Sequence, residues 1–207
     1  KGLDIVNGFP GEAAFPTHQC SQQNLPMIKD GQNGRPKVYW SSCHNQAFIN
    51  GKNREAEAVL KDESLIPFYV NTNIVYDESS QYADLILPDV TYLERWDYED
   101  MVSPTGVAEF YIRQPLIKPL GESLDQGEVF AGLAQRLGLE VAYTTKEDYV
   151  RQSCEMTPGV REAGGFEYMK KHGVWHDPDA KPNYGFYEAK VDVSGDGVIL
   201  DDKTGVY

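Results

Sequence analysis

Two clusters of residues in this sequence have the types needed to hold a polar ligand. Ser41-Ser42-Cys43-His44-Asn45 and Asn71-Thr72-Asn73 each follow a short apolar run and are dominated by amide and hydroxyl side chains. Such groups donate to and accept from sugar hydroxyls, phosphate oxygens and base edges. Singly, each cluster also reads as ordinary turn-forming chain; together they argue for a ligand. Arg95 follows in Tyr92-Leu93-Glu94-Arg95-Trp96-Asp97. Its guanidinium can fork onto a phosphate, or can pair with Glu94 or Asp97 on the surface.

Metal chemistry has weaker support. Asp192-Val193-Ser194-Gly195-Asp196-Gly197 copies the opening of a calcium loop, but Lys203 stands at the twelfth position where a bidentate Glu is needed, so a turn between two strands is expected. His18 and Cys20 with Cys43 and His44 are zinc ligand types, yet adjacent Cys43 and His44 are badly placed to share one tetrahedral ion. His172 and His176 are separated by Gly173 and lack the glutamate of a metalloprotease helix. No catalytic residue and no metal ligand is assigned. The phosphate-binding glycine motifs and the nucleophile elbow are also missing.

The elements that must position these clusters follow from pattern. Lys37 to Trp40 and Leu65 to Val70 are compact β-prone runs, and Asn53 to Lys61 between them is rich in helix formers with Ala56, Val59 and Leu60 on one face. Strand, helix and strand ended by polar loops predict a βαβ unit with parallel strands, and Glu78 to Tyr82 with Asp84 to Leu87 repeats the pattern. Asp125 to Gly138 predicts a helix, with Val129, Leu133 and Leu137 at i, i+4 and i+8 and Gly138 at its end. The expected fold is therefore α/β, a Rossmann- or flavodoxin-like three-layer parallel sheet over residues 1–140. Residues 141–207 are expected to form an irregular extension leading toward a further domain, helical only between Val160 and His172. Ligands of such sheets bind beyond the carboxyl ends of the strands, which here carry the two polar clusters.

Composition bounds the class. The chain has 207 residues, 41% hydrophobic and 25% charged, with a net charge of −13 and no basic patch, which argues against nucleic-acid binding. Apolar runs are too short to cross a bilayer, so no direct membrane insertion is expected. Three cysteines without a CxxC pair make neither a disulfide framework nor a zinc ribbon. The chain opens at Lys1 without a leader, as expected of a piece of a longer polypeptide.

From Leu25 to Leu139 the sequence resembles the molybdopterin oxidoreductases of the dimethyl sulfoxide reductase family, in particular their third domain. The likeness rests on Glu78-Ser79, Ala83-Asp84-Leu85-Ile86-Leu87-Pro88, Tyr92-Leu93-Glu94-Arg95, Arg113-Gln114-Pro115, Pro119-Leu120-Gly121-Glu122 and Leu133-Ala134-Gln135-Arg136-Leu137-Gly138. Upstream, Leu25 to Gly31 and Pro36 to Trp40 look like the family's helix and strand before an asparagine loop, with Gln46 where a proline is usual. The resemblance implies a bis(molybdopterin guanine dinucleotide) cofactor with molybdenum or tungsten, of which this region would hold one guanine dinucleotide arm. It maps the contacts onto Asn45, Thr72, Asn73, Arg95 and Asp125. A carboxylate at Asp125 can accept both the N1 and N2 hydrogens of guanine. The resemblance further implies a 4Fe-4S cluster and the metal ligand in parts outside this chain, an iron-sulfur electron-transfer partner with a possible membrane anchor, and an extracytoplasmic setting. The full-length enzyme would move oxygen or sulfur between small molecules in a two-electron step, closest to the polysulfide, thiosulfate, tetrathionate and arsenate branch, and the isolated fragment would be inactive. A non-catalytic paralogue and a freestanding flavodoxin-like binding domain are the alternatives.

Overall fold

The computed structural model describes residues 21–182 apart from 32, 33, 103 and 105. The calcium-like loop at Asp192, and His18 and Cys20, lie outside the described residues. Two compact units are present. One comprises the described residues up to Asp97 together with Arg113–Gln152, the other Tyr98–Ile112 with the described residues from Ser153 onward.

In the first unit, a 3-10 turn (Ser21–Gln23) and helix α1 (Asn24–Asp30) precede strand β1 (Tyr39–Ser42), helices α2 (Gln46–Ile49) and α3 (Asn53–Leu60), strand β2 (Tyr69–Asn73), a second 3-10 turn (Ser80–Tyr82) and strand β3 (Leu85–Pro88). The strands lie in the order β1-β2-β3, all parallel, with Ser42 opposite Thr72 and Asn73 opposite Pro88. Leu25 and Ile28 of α1, Ala56, Val59 and Leu60 of α3, and Ile66 and Tyr69 form the apolar core, so the helix face read from the sequence is the buried one.

Strands β1 and β2 sit further along the chain than their apolar runs suggest. The polar residues expected to end them are their second halves, and these are buried: Ser41 is 4% exposed, Asn71 0% and Thr72 1%. Burial of polar groups is tolerable only with partners, and a network provides them. Asn71 Nδ2 donates to Ser41 Oγ (2.9 Å) and Tyr69 Oη (3.3 Å), Ser80 Oγ donates to Asn71 Oδ1 (3.0 Å), and Ser41 Oγ lies 2.8 Å from Tyr69 Oη. Burial pushes the Tyr69 phenol up, keeping it neutral and able to donate.

Strands β4 (Asp97–Val102) and β5 (Ala108–Arg113) come next, then helices α4 (Gln126–Arg136), α5 (Lys146–Met156), α6 (Val160–Ala163) and α7 (Gly165–His172), and strand β6 (Val174–His176). A second sheet has the order β4-β5-β6, with β5 and β6 antiparallel and Phe110 opposite Trp175. The fold is thus α/β with parallel and antiparallel sheets. The antiparallel sheet and α5 are additions to the sequence reading, which over the described residues expected parallel strands and, past residue 140, helix only between Val160 and His172. In the second unit Phe110, Cys154, Val160, Phe166 and Met169 are buried. Gly159, at φ +84°, lies against Trp175, and a Cβ there would fall 2.3 Å from the indole. Only glycine fits that turn. Among the described residues no helix is long and apolar enough to cross a membrane.

Candidate functional site

The carboxyl ends of the three parallel strands are tied to one another and to the start of α4. Cys43 N donates to Thr72 O (3.0 Å) and Asp89 N to Asn73 O (3.0 Å), continuing the pairing one residue past the strands. The chain returns through Leu124, whose N–H donates to Pro88 O (3.2 Å), and this places Asp125 at the N-cap of α4. Ser42 Oγ donates to Gln126 Oε1 (2.5 Å), and the Gln126 N–H donates to Asp89 Oδ1 (3.3 Å). Trp40 packs on Phe130 with ring centroids 4.6 Å apart, fixing α4 beside β1. The N-terminus of α4 therefore lies among the strand ends, its first two N–H groups held by the Asp89 and Asp125 carboxylates and its dipole favouring negative charge there.

Asp125 accepts from Gly127 N–H (2.8 Å) in the usual capping manner, with its own φ and ψ at −58° and 132°. It is 7% exposed. Burial pushes its carboxyl above the usual carboxylate range, against the opposing pull of Lys146 and of the Gly127 N–H.

The other expected residues have internal partners as well. Thr72 Oγ1 accepts from Trp40 Nε1 (2.7 Å), and its side chain is buried in the sheet. Asn73 donates to Asp77 Oδ2 (2.7 Å) and accepts from Ile74 N–H (2.8 Å). Asn45, just before α2, donates to Glu78 Oε2 (2.5 Å) and accepts from Ser79 Oγ (2.9 Å). The Glu78-Ser79 pair singled out in the sequence thus positions the asparagine loop. Asn45 and Asn73 meet the 77–79 turn, whereas Arg95 and Asp125 gather around Asp89.

Arg95 resolves one of the alternatives left open above. Its Nη2 lies 3.3 Å from Asp97 Oδ2 and its Nη1 3.8 Å from Asp89 Oδ2, so Asp97 is a partner and Glu94 is not. Glu94 instead accepts from the Thr91 and Leu120 N–H groups, which hold its carboxyl below the usual range. The Arg95 Nε is buried and has no hydrogen-bond acceptor. Such an orphan donor is rare inside a protein and marks a cation with capacity to spare.

Sequence reasoning missed Asp89 and Lys146, and it read Asp97 only as a surface partner of Arg95 and Arg113 only as part of a motif. Asp89 is buried, and its Oδ1 also accepts from Val90 N–H (2.8 Å). Cys43, exposed and at φ +49°, lies with Sγ 3.9 Å from Asp89 Oδ2. An acid directly after a strand-ending proline was the one available signal for Asp89. His44 Nε2 sits 3.1 Å from Asn50 Nδ2, and among the described residues no group of three or more His, Cys, Asp or Glu is arranged to hold a metal.

The donor set fits a guanine dinucleotide in kind. A buried carboxylate can accept from a guanine edge, amides and hydroxyls suit ribose, and Arg95 has an unsatisfied N–H for phosphate. Polar groups at the carboxyl ends of parallel strands, with a helix N-terminus among them, stand at the edge where open α/β sheets place their ligands. The chain belongs to the molybdopterin oxidoreductase family, whose model, Molybdopterin oxidoreductase, matches residues 15–136. A selenate reductase polypeptide of Mesobacillus selenatarsenatis is 34% identical over 121 residues, covering 58% of this chain and 12% of that protein. Dimethyl sulfoxide reductase DmsA of Escherichia coli is 29% identical over 181 residues, covering 80% and 22% respectively. Among solved structures, acetylene hydratase from Pelobacter acetylenicus shares the fold with a TM-score of 0.58 at 17% identity, over 77% of this chain and 21% of that one. The chain therefore spans between 12% and 22% of the length of these relatives.

Proposed function

We propose that this chain is the part of a molybdenum or tungsten oxidoreductase catalytic subunit that holds one guanine dinucleotide arm of a bis(molybdopterin guanine dinucleotide) cofactor. The observation that supports it most is the joining of three strand ends to the N-terminus of α4 through Ser42, Asp89 and Gln126, inside the region that matches the family. Asp125 would accept from the guanine N1 and N2 hydrogens. Asn45 and Asn73 would face ribose and phosphate through groups left over from their internal bonds, Thr72 would fix the strand end beside them from within the sheet, and Arg95 would offset phosphate charge. When bound, the cofactor supplies the two-electron redox chemistry; these residues bind and orient it. The complete sheet of the parent would be the Rossmann-like three-layer arrangement.

The parent enzyme is proposed to transfer oxygen or sulfur to or from a small oxyanion or sulfur compound, a reading supported by relatives named for selenate reductase, thiosulfate reductase and sulfite dehydrogenase. An extracytoplasmic location, a 4Fe-4S cluster elsewhere in the parent, and an iron-sulfur partner chain with its membrane anchor complete the proposal. The test is Asn45→Ala combined with Asp125→Ala in the complete polypeptide, measuring guanine nucleotide retained after purification. Asp125→Ser, which keeps a capping oxygen, controls for helix stability. Retention should fall several-fold in the double variant and in Asp125→Ser alike. Unchanged retention in both would remove the site assignment.

A further inference from the structure

Three cations from distant parts of the chain converge on one carboxylate. Asp97 Oδ2 lies 3.3 Å from Arg95 Nη2 and 3.3 Å from Arg113 Nη1, and Asp97 Oδ1 lies 3.4 Å from Lys146 Nζ. The four side chains are 22%, 21%, 38% and 18% exposed in the order Asp97, Arg95, Arg113, Lys146, so the cluster is shielded yet reachable from solvent. The Tyr92 ring packs against both guanidinium groups, its centroid 5.2 Å from Arg95 Cζ and 4.4 Å from Arg113 Cζ. Attraction of each cation to the ring helps hold the two guanidiniums in place. Even with Asp89 beside it, Arg95 keeps the orphan Nε–H.

One carboxylate gripped by two guanidiniums and an ammonium has the form of an anion site with an anion already in it. Arg forks match planar or tetrahedral oxyanions, and Lys acts as a point charge beside them. We propose that Arg95, Arg113 and Lys146 form a pyrophosphate-binding site whose occupant in this structure is the chain's own Asp97 carboxylate, and that a phosphate-bearing ligand binds by taking that carboxylate's place. This rests on the proposed function for the identity of the ligand, and adds to it two further cations and an internal competitor. Asp97 sets the affinity by holding the cations in position and by opposing any incoming negative charge. A ligand with two adjacent phosphate groups can engage all three cations and displace Asp97, whereas a single-charge anion such as chloride exchanges one monovalent partner for another.

The test uses the complete polypeptide prepared free of cofactor and titrated with inorganic pyrophosphate by calorimetry, with thermal unfolding run on each variant. Asp97→Asn removes the competing charge at constant size and should bind pyrophosphate about ten-fold more tightly than the wild type, the effect of one charge a few ångströms away in a partly screened site. Lys146→Met should bind about ten-fold more weakly, and it carries the test alone if Asp97→Asn does not fold. Wild-type affinity in every folded variant of the two overturns the inference. If that result is found while Arg95→Met lowers guanine nucleotide retention in the loaded protein, the inference falls and the proposed function stands. If Arg95→Met changes neither retention nor pyrophosphate affinity, Arg95 is no phosphate ligand and both readings of it fall.

Discussion

Asp125 combines two roles that pull in opposite directions. As a capping residue it accepts from Gly127 N–H, and as a buried acid its ionised form is disfavoured by desolvation, the largest influence on its raised pKa. A carboxyl whose folded pKa exceeds its unfolded value binds its proton more tightly in the native state, so its contribution to stability is full below the ordinary value of 3.8 and is lost as pH rises through the folded value. Asp125→Asn keeps a good capping oxygen and has no charge to bury. The variant should therefore melt at a higher temperature than the wild type at neutral pH, with the difference shrinking as pH falls below the ordinary aspartate range. Melting curves of both proteins between acid and neutral pH check this, and an Asn variant that is less stable at neutral pH would contradict it. A residue kept at some cost to stability is what a ligand-binding acid looks like.

Among the elements, the strands show where sequence patterning stops working. Helices α3 and α4 were legible because their apolar faces repeat at helical spacing and because Asp125 and Gly138 mark the ends of α4. Strands β1 and β2 were found but placed early, because Ser41, Asn71 and Thr72 look like loop residues and lie inside the sheet. Their burial depends on cross-strand side-chain bonds that only the register reveals. Asn71→Ala would remove one partner each from Ser41, Tyr69 and Ser80, and should destabilise the fold by about 2–3 kcal/mol. Denaturant unfolding of variant and wild type measures this, and a change within a few tenths of a kcal/mol would show that the network is incidental. Helix α5 went unread because its buried residues Val150 and Cys154 make a stripe only one residue wide among charged neighbours. The second sheet pairs β5 with a three-residue β6 some sixty positions away, and β4 is acid-rich, so no local pattern announced it.

For the molecule as a whole, the gathering of polar strand ends was legible and the charge arrangement beside them was not. The polar strand ends and the start of α4 were expected to face a ligand, and hydrogen bonds through Ser42, Asp89 and Gln126 bring them to one edge. Asp97 was readable as a neighbour of Arg95, but Asp89, Arg113 and Lys146 could not be placed beside it from spacing, since they reach Arg95 or Asp97 only through the folded chain. Membership of the molybdopterin oxidoreductase family follows from the match over residues 15–136, while the small share of each relative that this chain spans leaves the parent's activity to experiment. The most direct test of the central claim is metal and nucleotide analysis of the complete polypeptide purified from its natural host, with molybdenum, tungsten and acid-released guanine nucleotide measured per polypeptide. A holder of one arm of a bis-dinucleotide cofactor predicts about one molybdenum or tungsten and about two guanine nucleotides. Neither metal nor guanine nucleotide would contradict it, leaving an α/β scaffold that has kept the family's fold without its cofactor.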